Sequence, residues 1–362
     1  MKNTNNHKKI RIAFCGHRGH VDKFARMVNS YPESEAAGFW DDEQPEQAKQ
    51  FAEQFSCRYY ETYTDLVQDP EVDGLVISMT NNRNTELILQ AVHAGKSVFV
   101  EKPLCMDPED AYAVRRAVKE KNVKFFMTDP FVDPGIMWAK TMLSSGKLGK
   151  LLSVRCRFHN EMYHGIVKSE EHMRYLAETM GGGIMADTGN HPVHAVTYLL
   201  GIPERVYGTA GYLDETARSC GFDQFATVVY HYPEDVTATL EIGFVAPSVS
   251  NAFEIHGTGG SILYRGFAHK GDRELKYCLV KDVHENPEWV TVMEEELPPQ
   301  PDDHIRYYVR MLAEDIPNEQ VGIDPASVHG VSLDTAVSMV ELCKAFYDSA
   351  ESGSAVRVQD KI

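Results

Sequence analysis

Ser97-Val98-Phe99-Val100-Glu101-Lys102-Pro103 is an apolar run that breaks into a charged pair and a proline. The run is β-branched and aromatic and follows the turn His93-Ala94-Gly95-Lys96, so it reads as a buried strand of a parallel sheet. Pro103 has no N–H to donate and ends the pairing. In open α/β sheets ligands collect outside the carboxyl ends of strands, which is where this order places the Lys102 ammonium. Lys102 is therefore a candidate catalytic group.

On either side, from Lys9 to about Asp129, short apolar runs alternate with amphipathic segments. Strands are predicted at Ile10 to Cys15, Ala36 to Trp40, Gly74 to Met79, Ser97 to Val100 and Lys124 to Thr128. Helices are predicted near Val21 to Asn29, Pro45 to Phe55, Asn84 to Ala94 and Pro108 to Lys121. This alternation implies right-handed crossovers and a parallel sheet. After about Lys150 the runs Leu151 to Phe158, Phe225 to Tyr232, Ala238 to Phe244 and Ala252 to Gly257 alternate with a period of two. That second part reads as α+β with an antiparallel sheet, and an uncovered face of such a sheet needs a partner. The final amphipathic helix, Ser332 to Ser349, is expected to pack back on the body of the fold.

The bulk numbers agree with two domains, because 362 residues exceed what one core usually organises. Hydrophobic residues at 43% and charged residues at 25% are those of a globular chain. A formal charge of -17, with no basic cluster larger than His7-Lys8-Lys9 and Arg11, argues against nucleic acid as a partner. No apolar stretch approaches the roughly 18 to 20 residues that span a bilayer, and residues 1 to 9 are too polar for a signal peptide. Seven scattered cysteines without a Cys-x-x-Cys pair fit a reducing compartment. The expectation is a soluble, cytoplasmic protein whose partner is a small molecule.

The first strand runs into Phe14-Cys15-Gly16-His17-Arg18-Gly19, an incomplete dinucleotide fingerprint. Gly16 and Gly19 stand where the second and third glycines of G-x-G-x-x-G belong, and Phe14 takes the place of the first. The motif alone also suits a strand-to-helix turn with no ligand. Asp41, 22 residues beyond Gly19 at the end of the second strand, strengthens the nucleotide reading. It would accept hydrogen bonds from both adenosine ribose hydroxyls and repel a 2′-phosphate, favouring NAD over NADP. Arg18 is the counterweight, as a guanidinium able to pair with a phosphate.

A degenerate glycine loop, an acidic end to strand two, Glu101-Lys102-Pro103, and Gly181-Gly182-Gly183 followed by Asp187 and His191 occur in that order. Together they resemble the Gfo/Idh/MocA family, over nearly the whole chain. The resemblance implies an α/β fold: an N-terminal Rossmann dinucleotide-binding domain, residues 1–130, and a C-terminal α+β domain, residues 131–362, with a large, mostly antiparallel open sheet. It implies homo-oligomers formed through that sheet. It implies NAD held by Cys15, Gly16, His17, Arg18, Gly19, Asp41, Thr80, Asn82, Glu101 and Lys102, and reversible oxidation of a secondary hydroxyl on a sugar, glycoside or inositol. Lys102 would stabilise the developing alkoxide, His191 would take the hydroxyl proton, and Asp187 would orient the imidazole or bind a substrate hydroxyl.

Tyr163, His164, Arg174 and His194 join Lys102, Asp187 and His191 as candidate substrate-binding residues. Several positions depart from the family's pattern. Asn81-Asn82 lacks a proline, Thr85 stands where a histidine is common, and Thr128-Asp129-Pro130-Phe131 lacks a basic residue. His194 stands where an aspartate is usual. Asp187, His191 and His194 have a spacing that can face one side of a helix and hold a metal, although Pro192 interrupts it and no metal is expected. Oxidation at sugar C3 is one version of the activity. The alternatives are a glycosidase that oxidises transiently and retains its NAD, and a non-catalytic sensor of dinucleotide or sugar.

Overall fold

A computed structural model describes residues 9–17, 20–129, 131–246, 251–266, 273–280 and 287–358. The chain forms two compact units. The first takes its described residues from Met1–Thr128 and Asp302–Val337, the second from Asp129–Pro301 and Ser338–Ile362. The segment 302–337 was expected in the second domain and instead packs with the first. Its helix His304–Ala313 buries Ile305, Tyr307, Tyr308 and Val309 in the same cluster as Phe24, Phe99 and Phe126. Fully burying aromatic and aliphatic side chains of this size stabilises by about 1.5–3 kcal/mol each, which outweighs the segment's distance along the chain.

In the first unit the strands are β1 (Ile10–Cys15), β2 (Ser34–Trp40), β3 (Arg58–Tyr59), β4 (Gly74–Ile77), β5 (Ser97–Glu101) and β6 (Phe125–Thr128). They pair in parallel in the order β3-β2-β1-β4-β5-β6, and Gly330–Val331 adds an antiparallel edge beside β6. This is the doubly wound order of a dinucleotide-binding sheet, whose topological switch lies between β1 and β4. Interior strands buried on both faces read as continuous apolar runs, as β4 and β5 do. The helices are α1 (Val21–Ser30), α2 (Pro45–Gln54), α3 (Tyr63–Gln68), α4 (Asn81–His93) and α5 (Pro108–Lys121). α5 shows why the boundaries are legible. Asp107 accepts from the Glu109 N–H, Pro108 occupies the first turn, and Asn122 ends the helix in the left-handed region at φ 50°. The two-residue β3 and the six-residue α3 carry too few residues to show a period and were not predicted.

The second unit begins with α6 (Pro134–Ser144), β7 (Leu151–His159), α7 (Tyr163–Ile166), α8 (Glu170–Met180) and α9 (Asn190–Leu200). Strands β8 (Arg205–Gly211), β9 (Phe225–His231), β10 (Thr237–Gly243), β11 (Ala252–Gly257), β12 (Gly260–Arg265), β13 (Glu274–Leu279) and β14 (Val290–Thr291) follow. With Val356–Arg357 they form a nine-stranded sheet in the order β14-β13-β12-β11-β7-β10-β9-β8 and the terminal strand. All neighbours are antiparallel except β7 and β10. Burial alternates along β7 and β9, so one face is covered, as the period of two predicts. The helix Leu333–Ser352 starts in the first unit and ends in the second. Its last turns cover the sheet: the Gly208 N–H donates to Ser349 Oγ at 2.9 Å, and a Cβ on Gly208 would lie 2.5 Å from the Phe346 ring. No helix among the described residues is long and apolar enough to cross a membrane.

Candidate active site

In the first unit the glycine loop is built around Gly16. Its φ is +99°, and a Cβ there would lie 2.3 Å from the Ser78 carbonyl oxygen, just beyond β4. Only glycine fits this meeting of the β1 and β4 ends, where a nucleotide's pyrophosphate approaches such a sheet. Phe14 is a strand residue, fully buried and stacked on Phe39 at 5.0 Å, so the missing first glycine is a core side chain. Cys15 belongs to the same interior. Its thiol is fully buried, burial and then the Asp41 charge push its pKa up, and its carbonyl accepts from the Ser78 N–H at 2.9 Å. Cys15 therefore presents no side chain to a cofactor. Arg18 and Gly19 lie outside the described residues.

Asp41 directly follows β2 and is 1% exposed. Its Oδ1 accepts from the N–H groups of Glu43 and Gln44 at 2.8 and 2.9 Å, and its Oδ2 meets His17 Nδ1 at 2.5 Å. Burial alone would raise this carboxyl's pKa, but the His17 and backbone hydrogen bonds prevail and hold it below the usual value. Of about four lone-pair positions on a carboxylate, three are engaged among the described residues. Among the described residues that leaves one position open to a ribose hydroxyl. Asp42 is committed to Arg83 through two hydrogen bonds of 2.8 and 3.0 Å.

Glu101, the last residue of β5, and Lys102, just beyond it, are half-buried, and the Lys102–Pro103 peptide bond is cis. The loop is fastened by Asn84, 2% exposed, whose Nδ2 donates to the Pro103 carbonyl at 2.9 Å. Thr80 is buried directly before α4, and Asn82 is exposed in its first turn. Asn84 was missed, because a polar residue inside a predicted helix has no local mark of a distant partner.

In the second unit the Gly181-Gly182-Gly183 run is shaped by contacts from far along the chain. Asp223, fully buried, accepts from the Gly183 N–H at 2.7 Å, the Met185 N–H at 2.9 Å and the Tyr347 hydroxyl at 2.7 Å. A Cβ on Gly183 would lie 2.0 Å from the Asp223 carbonyl oxygen, and one on Gly182 would lie 2.1 Å from the Tyr347 hydroxyl. The run thus holds the turns that carry Asp187. Asp187 precedes α9 rather than lying on it, since the helix starts at Asn190. The helical spacing anticipated for Asp187, His191 and His194 therefore fails at its first member.

His191 and His194 share one turn of α9, and both face Asp129. His191 Nδ1 is 3.0 Å from Asp129 Oδ1, and His194 Nδ1 is 3.8 Å from the same oxygen. Asp129 is fully buried. Burial would raise its carboxyl, but the two imidazoles outweigh that and hold its pKa far below the usual range. Oδ1 also accepts from the Phe131 N–H at 3.3 Å, and the Phe131 ring stacks on His191 with centroids 3.7 Å apart. Phe158 meets the Phe131 ring edge-on at 5.3 Å. The two departures noted in the sequence, an acid at 129 and an imidazole at 194, are thus neighbours. Asp129 was not predicted as a site residue, although an acid replacing an expected base beside a strand end was a usable signal. Among the described residues no three His, Cys, Asp or Glu side chains are grouped to hold a metal ion.

The secondary candidates are scattered. Tyr163 packs on Phe244 at 5.4 Å and on His164 at 5.2 Å, and His164 is exposed. Arg174 is exposed and paired along α8 with Glu170 at 3.0 Å.

Residues 10–129 match the model described as an oxidoreductase family with an NAD-binding Rossmann fold, and residues 136–263 match the GFO/IDH/MocA C-terminal domain. The chain belongs to the Gfo/Idh/MocA family. A Gfo/Idh/MocA relative from Saccharopolyspora spinosa, dTDP-3,4-didehydro-2,6-dideoxy-alpha-D-glucose 3-reductase, is 26% identical over 313 residues, covering 86% of this chain and 88% of that one. The levoglucosan dehydrogenase of Pseudarthrobacter phenanthrenivorans is 25% identical over 262 residues, 66% of each chain. Among solved structures, levoglucosan dehydrogenase in complex with NADH and levoglucosan superposes with a TM-score of 0.78 at 19% identity, covering 98% and 100% of the two chains. GenD2 from gentamicin A biosynthesis, in complex with NAD, gives 0.75 at 20% identity and 97% of each chain. As a Gfo/Idh/MocA protein this chain is an oxidoreductase whose cofactor is NAD. The glycine cradle at Gly16 and the remaining acceptor on Asp41 fit that cofactor.

Proposed function

We propose that the protein is an NAD-dependent dehydrogenase acting on a secondary hydroxyl of a sugar, glycoside or inositol. The observation that carries the reading is His191: its imidazole is held by a buried carboxylate and an aromatic face, yet keeps 12% of its side-chain surface open. An imidazole so placed suits the acceptance of a hydroxyl proton near neutral pH. When bound, the nicotinamide supplies the two-electron acceptor for the hydride leaving the carbinol carbon. Gly16 and Asp41 hold its nucleotide, Lys102 stabilises the negative charge that develops on the substrate oxygen, and Asp187 binds a neighbouring hydroxyl. The sugar names of the relatives support the substrate class. Association of copies through the nine-stranded sheet is part of the same proposal.

The test is purified protein with NAD across a panel of sugars, glycosides and inositols, following absorbance of the reduced nicotinamide. Stoichiometric reduced cofactor with at least one substrate is expected, and Lys102→Ala should lower kcat about 10²- to 10³-fold, the size of losing one preorganised charge at a developing oxyanion. Glycoside cleavage with catalytic NAD and no net reduction would instead identify a glycosidase.

A further inference from the structure

The sequence assigned the orienting of His191 to Asp187, four residues before it. The structure pairs His191 with another acid. Asp129 Oδ1 lies 3.0 Å from Nδ1 of His191, within hydrogen-bond reach, and the carboxylate is wholly enclosed. The same oxygen takes the Phe131 N–H, whose ring lies flat against His191 with 19° between the planes. One carboxylate therefore sets the ring's rotation and also the aromatic surface that holds its plane. His194, 3% exposed, stands 3.8 Å from that oxygen and lines the same enclosure.

We propose that Asp129 is the positioning residue for His191, accepting from Nδ1–H and so leaving Nε2 as the nitrogen that receives the substrate proton. An ionised carboxylate only accepts hydrogen bonds, so the ring nitrogen facing it must carry the hydrogen. The other nitrogen then holds the lone pair. When Nε2 takes the hydroxyl proton, the O–H bond breaks, an N–H bond forms, and the imidazolium stays beside a buried negative charge. Carboxylate–imidazole pairs serve this way in hydrolases, where the acid orients the ring and stabilises the imidazolium without itself being protonated. The kinetic consequence rests on the dehydrogenase reading above; the tautomer is a property of the chain alone.

Two measurements on the full chain separate those levels. Imidazole nitrogen NMR of histidine-labelled protein, with His191 resonances identified by their loss in His191→Gln, should show Nδ1 protonated and Nε2 bare. A proton on Nε2 in the unmodified protein overturns the proposal without needing any Asp129 variant to fold. In Asp129→Asn the tautomer preference should be lost, whereas Asp187→Asn should leave it intact; the reverse outcome would give the role to Asp187. In the oxidation assay, Asp129→Asn should lower kcat about 10²- to 10⁴-fold while KM for NAD stays within about threefold. Removing the negative charge beside the base should also move the acidic limb of kcat/KM to lower pH, a shift that His194 and Asp187, the other titratable groups on this segment, do not produce when left unchanged. A folded Asp129→Asn with unaltered kcat and pH limb would overturn the proposal. If the tautomer is as stated but no polyol is oxidised, the dehydrogenase reading fails and the positioning assignment stands.

Discussion

Each unit holds a pair of largely covered histidines, and their surroundings differ in kind. In the first unit His304 and His329 are 7% and 9% exposed, and His304 sits edge-on to Phe24 at 5.3 Å among aromatic rings. Its imidazole is pushed down to about 4, by burial first, with His329, Lys23 and His20 adding to that and Asp303 opposing. In the second unit His194 is buried while His191 keeps 12% of its side-chain surface open, and both face the buried carboxylate of Asp129. Burial alone makes an imidazole neutral and inert. Burial around a fixed carboxylate makes it an oriented proton acceptor, so the acid, rather than the histidine, distinguishes a site from a core.

The largest effect should separate the pairs by activity. His191→Ala removes the proton acceptor and should lower kcat about 10²- to 10⁴-fold. His304→Phe, which keeps an aromatic ring among aromatic neighbours, should leave kcat within about twofold, as surface-neutral and shape-conserving changes away from a site usually do. Steady-state kinetics of both variants on one substrate would break the comparison if His304→Phe proved the more damaging.

Stability in acid should separate them in the opposite sense. The folded His304 binds its proton near pH 4, below the ordinary value of 6.5. Between those values the unfolded chain holds more protons, so stability is full above about 6.5 and falls as pH drops toward 4. The loss is on the order of 3 kcal/mol if the whole shift is expressed. Asp129 produces the same kind of fall in a lower window, since a carboxyl held below its usual range contributes stability that persists until pH drops below the unfolded value of about 3.9. Urea unfolding at about pH 7 and about pH 4.5 should show the decline in the unmodified protein and a flatter profile in His304→Phe.

How far the molecule was legible follows the same division. In the first unit the determinants are local: an apolar run, a glycine at its end and an acid one βα unit later lie within about 30 residues. β1 and α5 have the predicted bounds, and Gly16 and Asp41 directly follow β1 and β2, for that reason. The return of 302–337 was not, because nothing near Tyr307 and Tyr308 names the Phe99 and Phe126 side they meet. In the second unit the site hangs on long-range pairs, Asp129 with His191 across 62 residues and Gly183 with Asp223 across 40. The glycine run was recognised as a motif, but its cause is the Asp223 backbone. Gly183→Ala should therefore cost about 1–3 kcal/mol, because the colliding atoms are backbone and cannot rotate away. Thermal unfolding of the variant checks this, and an unchanged transition would mean that Asp223 does not hold the loop.

The smallest effect concerns Arg174, read as a substrate residue because its stretch is rich in polyol-binding side chains. Composition marked the stretch, but contacts decide the role. Arg174 lies on α8 with 48% of its side chain exposed and pairs with Glu170, also solvated, four residues earlier. Exposed pairs at this helical spacing contribute about 0.3–0.5 kcal/mol, because water screens the charges and both long side chains lose freedom. Arg174→Ala should accordingly change unfolding stability by no more than about 0.5 kcal/mol and KM for the substrate by less than about twofold. A tenfold rise in KM would be about 1.4 kcal/mol, far beyond what this pair supplies. Such a rise would move Arg174 from the solvated face of α8 to the substrate. It would also show that an oriented proton acceptor is only part of what the second unit contributes.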